Sequence, residues 1–454
     1  MQKYDVLTIG GGPAGITIAK ILGNEVKVGI IRPEDHSMVY CAMPYVLENI
    51  IPKEKTFKKD ELVTGSGAEL LRSTVTEVSF DDKTVTLNDG TLCKYDKLII
   101  ATGADPILPP IRGNELSGVH TFKTGDDLDL LMSTVSDQKT RRAVVVGAGA
   151  IGVELSQALN KVTRECHLVD IAASVLPNLI DADFSKDVQE ELEALGLILH
   201  LNCKVIGIQG DNSVEGVLLD NGETIPLGEA GIVVFAVGMR PNIDLFKDTP
   251  LVVEKQGIVV NSKMETNIRD VYAVGDCTQF ISGITGKVVL GKLATNAVPM
   301  ARMLAKNLLG DDRTYKGFYN GAATKVGRYY IGGTGFTKAV LEDEFDIVTG
   351  HSELTTIFPI MPDSRRIKMK LIADGSSLRV LGGQVVGEAP VTDKVDIITL
   401  AIQHNLTAED LAELSYSAQP YQSFFPANNL IVACAEDILR GASRFHSRTR
   451  ALSK

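Results

Sequence analysis

Two glycine-rich segments constrain this chain more than any other part of its sequence. Each reads GxGxxG, follows a run of apolar residues and precedes a helical run. In that context the first glycine permits a tight turn, the second lets the backbone approach a pyrophosphate, and the third lets the helix pack on the strand. The chain is therefore predicted to contain two dinucleotide-binding domains. The residues predicted to bind cofactors here are Gly10, Gly12, Pro13, Ala14 and Gly15 in the first segment, and Gly147, Gly149, Ile151 and Gly152 in the second.

The end of the second strand differs between the two predicted domains. In the second domain this strand ends at Asp170, where a carboxylate hydrogen-bonds a ribose 2′-hydroxyl and repels a 2′-phosphate. Asp170 therefore favours NADH over NADPH. The corresponding stretch of the first domain contains Arg32 and Glu34. Either Glu34 holds the ribose of the nucleotide there, or Arg32 makes a different contact with the adenosine part.

Three further apolar strands are predicted to end in small residues. Small residues let the chain pass close to a dinucleotide, and ligands of doubly wound folds bind at the carboxyl ends of the strands. The last of the three ends in Gly-Asp, which places one carboxylate at that edge. These strand ends add six residues to the predicted cofactor-binding set: Ala101, Thr102, Gly103, Gly238, Gly275 and Asp276.

Cys41 is the candidate reactive residue. It lies in a predicted turn just before a short predicted helix, Pro44 to Asn49. A helix N-terminus favours negative charge and lowers the pKa of a nearby thiol, so Cys41 is predicted to be a thiolate nucleophile. The alternative is a buried, inert cysteine, which the two nucleotide motifs disfavour. The other five are predicted to pack in the core or on the surface, with no metal-binding cluster: Cys93, Cys166, Cys203, Cys277 and Cys434.

Composition excludes several classes of protein. The net charge of −11 argues against a nucleic-acid partner, since phosphate binding needs clustered Lys and Arg. No apolar run approaches the ~20 residues of a membrane span. The first predicted strand begins at Tyr4 with no signal peptide ahead of it, which predicts a cytoplasmic location.

The spacing of the motifs predicts three domains, the first of them interrupted. Residues 1–118 and 249–318 form the first nucleotide-binding domain, and residues 119–248 form the second. From residue 319 the pattern changes to several strands followed by two helices. The predicted fold class is α/β, with two doubly wound Rossmann-like nucleotide-binding domains plus an α+β C-terminal domain.

The chain resembles the flavin-dependent pyridine nucleotide-disulfide oxidoreductases over nearly its whole length. The motifs that carry the resemblance are the two GxGxxG segments, Ala101-Thr102-Gly103 and Ala273-Val274-Gly275-Asp276. The resemblance implies FAD on the first domain, a nicotinamide on the second and a homodimer formed by the C-terminal domain. It also implies that Asp276 binds the ribityl chain of FAD and that Glu154 lies near the nicotinamide.

Within that family the segment around Cys41 resembles the single-cysteine branch. The branch of glutathione reductase type carries a CxxxxC pair, but Val46 stands where the second cysteine would be, and no His-Pro-Glu base follows. The single-cysteine branch contains coenzyme A disulfide reductases, persulfide reductases, NADH peroxidases and NADH oxidases.

Departures from each of these types bear on the substrate. The peroxidases and oxidases place a histidine where this chain has Pro13. The coenzyme A disulfide reductases place an Arg pair where this chain has Gly23 and Asn24. They also carry a tyrosine pair near the cysteine of the partner subunit. The segment from Leu414 to Tyr421, with Tyr416 and Tyr421, resembles one half of that pair, whereas Phe358 stands in the other half.

The sequence thus predicts an NADH-dependent flavoprotein reductase of a disulfide, persulfide or polysulfide substrate. FAD transfers the electrons of NADH to Cys41, and the Cys41 thiolate attacks the sulfur of the next substrate. Tyr416 or Tyr421 of the partner subunit is predicted to protonate the leaving sulfur. Two alternatives are an NADH oxidase in which Cys41 cycles through a sulfenic acid, and a non-catalytic redox sensor or electron-transfer partner.

Overall fold

The computed structural model describes residues 2–136, 142–229, 231–342 and 344–452 of the chain. They form two compact units. The N-terminal unit comprises residues 1–107, 122–130 and 238–318, and the C-terminal unit comprises residues 108–121, 131–237 and 319–454. No helix of the described residues is long and apolar enough to cross a membrane. The predicted borders near residues 118, 248 and 318 stay predictions.

A seven-stranded sheet forms the centre of the N-terminal unit. Its first strand, Gln2–Ile9, pairs in parallel with Val28–Ile31 and with Leu92–Ile100, as in a doubly wound fold. The strand Val271–Ala273 pairs in parallel with the end of Leu92–Ile100 and so returns the chain to this sheet. Along the sheet the remaining order is Glu69–Leu71, Val28–Ile31, Gln2–Ile9, Leu92–Ile100, Thr84–Leu87 and Val75–Ser79.

Apolar clusters bury this sheet, because parallel strands need cover on both faces. One cluster includes Ile30 and Ile99 together with Leu22 and Leu304 from two helices that pack on each other. The other includes Leu98 and its neighbours. The helices of the unit are Pro13–Leu22, Met43–Leu47, Glu61–Thr64, Ala294–Leu308 and the part of Gly125–Ser136 up to Leu130.

Short elements connect these parts of the N-terminal unit. Its 3₁₀ turns are Tyr40–Ala42, Lys53–Thr56, Asp244–Phe246 and Gly275–Cys277. Its two-stranded pairs are Ser37–Met38 with Phe57–Lys58, Ala104–Pro106 with Met239–Pro241, Val253–Glu254 with Gly257–Ile258, and Phe280–Ile281 with Val288–Val289.

The C-terminal unit contains a second parallel sheet. Its central strand, Arg142–Val146, leads directly into the second glycine segment and then into the helix Ala150–Val162. The five strands lie in the order Val119–Thr121, Ile232–Phe235, Arg142–Val146, Glu165–Val169 and Ile198–His200. The helix Ala182–Ala194 precedes the last of them. This is the second dinucleotide-binding fold that the sequence predicts.

Antiparallel sheets complete the C-terminal unit. A three-stranded sheet is formed by Val205–Gln209, Gly216–Leu219 and Thr224–Pro226. A five-stranded sheet has the order Ala322–Val326, Tyr329–Gly335, Val380–Gly387, Arg366–Asp374 and Ile347–Thr355. The accompanying helices are Lys338–Leu341, Thr392–Gln403, Ala408–Ala412 and Leu430–Leu452.

The predicted fold class is confirmed. The sequence did not predict the helix Leu430–Leu452, although its buried residues Cys434 and Ile438 lie at helical spacing and pack on the antiparallel sheet. The segment before this helix is polar, so the sequence pattern did not indicate where the helix begins. The three-stranded sheet was missed as well, since its strands are only three to five residues long and two of them contain a glycine.

Candidate active site

The first glycine segment forms a turn between the strand Gln2–Ile9 and the helix Pro13–Leu22. Gly10 has a φ of +120°, and a Cβ atom there would lie 2.0 Å from the carbonyl oxygen of Ala101. A Cβ at Gly15 would lie 2.1 Å from the oxygen of Gly10, whereas one at Gly12 would meet nothing within 4 Å. The backbone at Gly12 therefore faces open space beside a helix N-terminus, which suits the pyrophosphate of a dinucleotide. Ala14 is buried in that helix.

Asp276 lies at the carboxyl end of the strand Val271–Ala273, in the turn Gly275–Cys277. Its Oδ1 atom is buried and has no hydrogen-bond partner among the described residues. Burial raises the pKa of its carboxyl group, and the positive charges of Lys123 and then Lys292 lower it. An acceptor left without a donor in this position fits a hydroxyl-bearing ligand. Together with Gly12 it fits the ribityl chain and pyrophosphate of FAD.

Ala101, Thr102 and Gly103 follow the strand Leu92–Ile100 in the same unit. Thr102 Oγ1 donates to the Asn242 carbonyl oxygen at 2.6 Å, and the Asn242 amide donates to the Gly103 carbonyl oxygen at 2.9 Å. These two hydrogen bonds join the segment that follows the strand Leu92–Ile100 to the segment around Asn242. Gly238 lies just ahead of the second segment with a φ of +115°.

Arg32 and Glu34 have different surroundings. The guanidinium of Arg32 is 3% exposed, donates to the carbonyl oxygens of Glu34 and Asp35, and pairs with Asp60 at 2.8 Å. Hydrogen bonding and charge from Arg32 hold the pKa of Asp60 low against its burial. The Glu34 side chain is exposed. The aliphatic part of the Arg32 side chain also fills the space beside Gly11, where a Cβ would lie 2.7 Å from it. Arg32 therefore supports the glycine segment by packing against it.

Cys41 lies in the turn Tyr40–Ala42, and its side chain is exposed. Pro44 stands in the first turn of the helix Met43–Leu47 that follows. The strand before the turn, Ser37–Met38, pairs with Phe57–Lys58, with Ser37 opposite Lys58. Burial lowers the pKa of the Lys58 ammonium, and the negative charge of Cys41 raises it. The exposed sulfur therefore has a half-buried cation in its electrostatic surroundings.

The other five cysteines are not placed for such chemistry. Cys203 is half-buried and the remaining four are buried. Burial raises the pKa of the thiols of Cys93, Cys166 and Cys277, and raises that of Cys434 to about 12. The prediction that they serve packing is confirmed for these four. Cys41 is the exposed cysteine among the six.

The second glycine segment repeats the geometry of the first. Gly147 has a φ of +109°, and a Cβ there would lie 2.5 Å from the Ala236 carbonyl oxygen. A Cβ at Gly152 would lie 1.8 Å from the Gly147 oxygen, and one at Gly149 would meet nothing within 4 Å. Ile151 is exposed in the first turn of the helix, and Glu154 accepts a hydrogen bond from Thr324 Oγ1 at 2.7 Å. The segment thus offers the same open backbone for a second pyrophosphate.

Asp170 follows the strand Glu165–Val169 and holds the second glycine segment. Its Oδ2 atom accepts a hydrogen bond from the Ala148 amide at 2.5 Å, and its Oδ1 accepts one from the Ala172 amide at 2.7 Å. Each carboxylate oxygen can accept a further bond, so the residue can bind a ribose hydroxyl as well. Ile171 beside it is 73% exposed, and no cation within the stretch from Ile171 to Ser174 offers a partner for a 2′-phosphate.

Tyr416 and Tyr421 lie in the irregular segment between the helices Ala408–Ala412 and Leu430–Leu452 of the C-terminal unit. Their side chains are 41% and 60% exposed. The hydroxyl of Tyr416 donates to the Pro426 carbonyl oxygen at 2.8 Å. Phe358 packs edge-on against Phe425 with ring centroids 5.3 Å apart, which attaches this segment to the antiparallel sheet domain.

Sequence reasoning missed three lysines that belong to the site. Lys58 has Cys41 in its electrostatic surroundings, and the positive charges of Lys123 and Lys292 lower the pKa of the Asp276 carboxyl group. One sequence signal was available at Lys292, which stands between apolar residues directly before the helix that follows the Gly-Asp motif. For Lys58 and Lys123 no such signal exists, because these lysines lie far along the chain from Cys41 and Asp276, respectively.

Two models of one protein family match most of the chain. Residues 4–301 match the family described as pyridine nucleotide-disulphide oxidoreductase, and residues 322–424 match the dimerisation domain of the same family. The match covers both glycine segments, Cys41 and Asp276.

Similar proteins match this chain over most of its length. A protein of Methanocaldococcus jannaschii named NADH oxidase is 32% identical over 96% of this chain and 99% of its own. A protein of Pyrococcus furiosus named NAD(P)H sulfur oxidoreductase (CoA-dependent) is 30% identical over 92% of this chain and 96% of its own. The solved structure of an NAD-dependent persulfide reductase from A. fulgidus superposes with a TM-score of 0.90, at 25% identity, over 97% of this chain and 83% of that one.

Proposed function

We propose a specific reaction for this chain, which belongs to the pyridine nucleotide-disulphide oxidoreductase family and is an FAD-dependent NAD(P)H oxidoreductase. It is an NADH-dependent reductase of disulfide, persulfide or polysulfide substrates, and Cys41 is its redox-active residue. The observation that carries the proposal is the exposed Cys41 sulfur, in the same unit as the open Gly12 backbone and the unpartnered Asp276 acceptor.

The reaction balances with one cysteine. The Cys41 thiolate attacks one sulfur of the substrate RSSR′, forms a Cys41–S–SR bond and releases R′S⁻. FAD, when bound, supplies the two electrons of NADH that return this mixed disulfide to the thiolate. The sum is NADH + H⁺ + RSSR′ giving NAD⁺, RSH and R′SH. A polysulfide reacts in the same way, with sulfide or a shortened polysulfide as the leaving group.

The residues of the chain perform four tasks in this reaction. Gly12 and Asp276 bind FAD, while Gly149 and Asp170 bind NADH and discriminate against NADPH. Lys58 supplies positive charge near Cys41, which attracts an anionic sulfur substrate. Pro13 occupies the place where oxidases and peroxidases of this branch carry a histidine, which favours sulfur over oxygen as the acceptor.

The active unit is proposed to be a homodimer. The match of residues 322–424 to a dimerisation domain supports it. Tyr416 or Tyr421 of the partner subunit would then protonate the leaving sulfur, since a phenol is an adequate acid for a thiolate. Light scattering tests this role: a monomer at full specific activity contradicts it. A cytoplasmic location stays a prediction from the sequence.

The second candidate function is an NADH oxidase with Cys41 cycling through a sulfenic acid. The name of the Methanocaldococcus jannaschii relative, NADH oxidase, favours it. It differs from the sulfur reductase in its acceptor, which is oxygen or peroxide, and in the product that leaves Cys41, which is water.

A steady-state comparison of acceptors separates the two functions. The purified protein should show the absorbance bands of bound FAD and should oxidise NADH anaerobically with polysulfide, cystine or coenzyme A disulfide. Turnover with these acceptors should exceed turnover with oxygen or peroxide. Faster turnover with oxygen, lost on changing Cys41 to Ser, establishes the oxidase instead. A protein that neither holds nor takes up FAD contradicts both.

A further inference from the structure

Arg32 occupies, beside the first glycine segment, the place that Asp170 occupies beside the second. In both sheets the amide of the first glycine donates to the carbonyl oxygen that ends the second strand, at 2.9 Å from Gly10 and at 2.8 Å from Gly147. The next residue along the chain is Arg32 in the first case and Asp170 in the second. A side chain at this position hydrogen-bonds a ribose in doubly wound folds. The first site therefore presents a donor where the second presents an acceptor.

One edge of the Arg32 guanidinium is fully used within the protein. Its Nε atom donates to the Glu34 carbonyl oxygen at 2.8 Å. Its Nη2 atom donates to the Asp35 carbonyl oxygen at 2.9 Å and to Asp60 Oδ1 at 2.8 Å. Since Nε carries one hydrogen and Nη2 carries two, these three bonds use every hydrogen on that edge. The planar group is thereby held in one orientation.

The other edge of the guanidinium lies on the side of the glycine segment. Its nitrogen, Nη1, forms no hydrogen bond with any residue that the structure describes, although Arg32 is only 3% exposed. Nη1 is the nitrogen cis to Cδ, and a Cβ at Gly11 would lie 2.7 Å from that Cδ. Two N–H groups of a nearly buried cation are thus left for an acceptor, one residue from the open backbone at Gly12.

The surroundings of Arg32 favour a neutral acceptor over an anion. Asp60 accepts from Arg32 through Oδ1 and from Arg72 through Oδ2. Arg72 also pairs with Asp35 at 3.5 Å. Two arginines and two carboxylates leave this cluster without net charge, so the free edge of Arg32 needs no negative ligand. A hydroxyl oxygen, such as those of a ribose, is a sufficient partner.

We propose that Arg32 is a specificity-determining residue of the FAD site, whose Nη1 atom donates to a hydroxyl oxygen of the adenosine ribose. The exposed Glu34 side chain then has no part in this contact. The two nucleotide sites of the chain bind a ribose in opposite senses, because Asp170 accepts from a hydroxyl group and Arg32 donates to one. The inference goes beyond the proposed sulfur chemistry, and it holds equally for an oxidase.

The test is a competition between FAD and analogues that lack one hydroxyl of the adenosine ribose. FAD synthetase makes the analogues from FMN and either 2′-deoxy-ATP or 3′-deoxy-ATP. The holoenzyme is equilibrated with an equal excess of FAD and one analogue, and the flavins that stay bound are separated by chromatography. The wild type should retain FAD over at least one analogue by about tenfold, as expected for a hydrogen bond from a charged donor.

Two variants of Arg32 should remove this preference. Arg32→Met lacks the donor, and Arg72 still pairs with Asp60, so no carboxylate is left alone and the variant should fold. Its ratio of bound FAD to bound analogue should fall to about one. Arg32→Lys keeps a charge beside Asp60, but its single nitrogen has to replace the three bonds of the used edge, so its ratio should fall as well. If Arg32→Met does not fold, Arg32→Lys decides.

The matched control is Arg72→Met. It removes the other arginine that binds Asp60, whose side chain is 41% exposed, and it should keep the wild-type ratio. Because the ratio compares two flavins on one protein, a general weakening of FAD binding or of the fold leaves it unchanged, and so does the identity of the sulfur substrate.

Three results overturn the proposal. The first is a wild type that binds FAD and both analogues equally. The second is a preference that persists in both Arg32 variants, since Arg32 then only supports the glycine segment by packing. The third is a preference that Asp60→Asn or Glu34→Gln removes and both Arg32 variants keep, because that result assigns the ribose to a carboxylate.

Discussion

The two glycine segments of this chain have nearly the same backbone and different surroundings. In both, the first glycine has a positive φ, the third packs on the oxygen of the first, and the middle one faces open space. Arg32 packs against the first segment and is bound by Asp60 and by backbone carbonyl groups. Behind the second stands Asp170, which accepts the Ala148 amide of the segment itself.

This difference separates what binds a pyrophosphate from what selects a nucleotide. The open backbone at Gly12 and Gly149 offers amide groups at a helix N-terminus, which suit any dinucleotide. Selection depends on the side chain at the end of the next strand. We expect the Asp170 carboxylate to bind a ribose, whereas the charge of Arg32 is already compensated by Asp60. Two segments with nearly the same backbone can therefore bind different cofactors in one chain.

The N-terminal unit also contains the turn Tyr40–Ala42 with Cys41, which the described residues of the second glycine segment do not repeat. Replacing Cys41 should have the largest effect on activity. Cys41→Ser should reduce sulfur-substrate turnover by at least about a thousandfold, as expected when a covalent step loses its nucleophile. FAD content and the reduction of the flavin by NADH should be unchanged, because both depend on the glycine segments. Rapid mixing with NADH, followed by steady-state turnover with polysulfide, measures both.

The matched control for this change is Cys434→Ser. Cys434 is buried against the antiparallel sheet, so its replacement should lower stability modestly and leave turnover per folded molecule unchanged. Wild-type sulfur turnover in Cys41→Ser would mean that acceptors take electrons without a cysteine, and the single-cysteine reaction is then wrong.

Filling the open space of each segment should separate the two cofactors. Gly12→Val and Gly149→Val place a side chain where nothing lies within 4 Å, at backbone angles that any residue adopts, so both variants should fold. Gly12→Val should weaken the binding of FAD by about tenfold or more. Gly149→Val should weaken the binding of NADH by a similar factor and should retain FAD.

Flavin absorbance of the purified variants and the NADH dependence of flavin reduction measure the two effects. Loss of FAD from Gly149→Val, or normal FAD content in Gly12→Val, would show that the cofactors are assigned to the wrong segments. Circular dichroism of each variant checks that the fold is retained.

Asp170 should determine the choice between the two nicotinamide cofactors. The wild type should prefer NADH over NADPH by about tenfold or more in kcat/KM, since an unpaired carboxylate against a phosphate costs at least about 1.4 kcal/mol. Asp170→Ala should narrow this preference without changing FAD content. It should also weaken NADH somewhat, because the Ala148 amide loses its acceptor. Equal kcat/KM values for both cofactors in the wild type contradict the role of Asp170.

The smallest effect is expected at Lys58. Lys58→Met should slow the alkylation of Cys41 by the anion iodoacetate about threefold more than its alkylation by neutral iodoacetamide, since a nearby cation attracts an anionic reagent. Lys59→Met, which changes the exposed neighbour, should leave this ratio as in the wild type. A ratio that does not change in Lys58→Met shows that Lys58 plays no part in attracting anions.

Much of the fold could be predicted because its signals are local. The strand, glycine segment and helix that begin at Gln2, and the repeat that begins at Arg142, follow from glycine spacing and apolar runs. The helix Leu430–Leu452 could not be placed from periodicity alone, because it obtains its partners from a sheet formed much earlier in the chain.

The sequence by itself determined the two nucleotide-binding segments, Asp170, Asp276 and the candidate cysteine, since each belongs to a pattern of neighbouring residues. Only the tertiary structure decided that Cys41 is exposed while four other cysteines are buried, and that Asp60 neutralises Arg32. The physical reason is the separation along the chain over which each property is determined. Backbone conformation and apolar periodicity depend on residues a few positions apart, whereas burial and charge depend on whatever the fold brings near, regardless of distance along the chain.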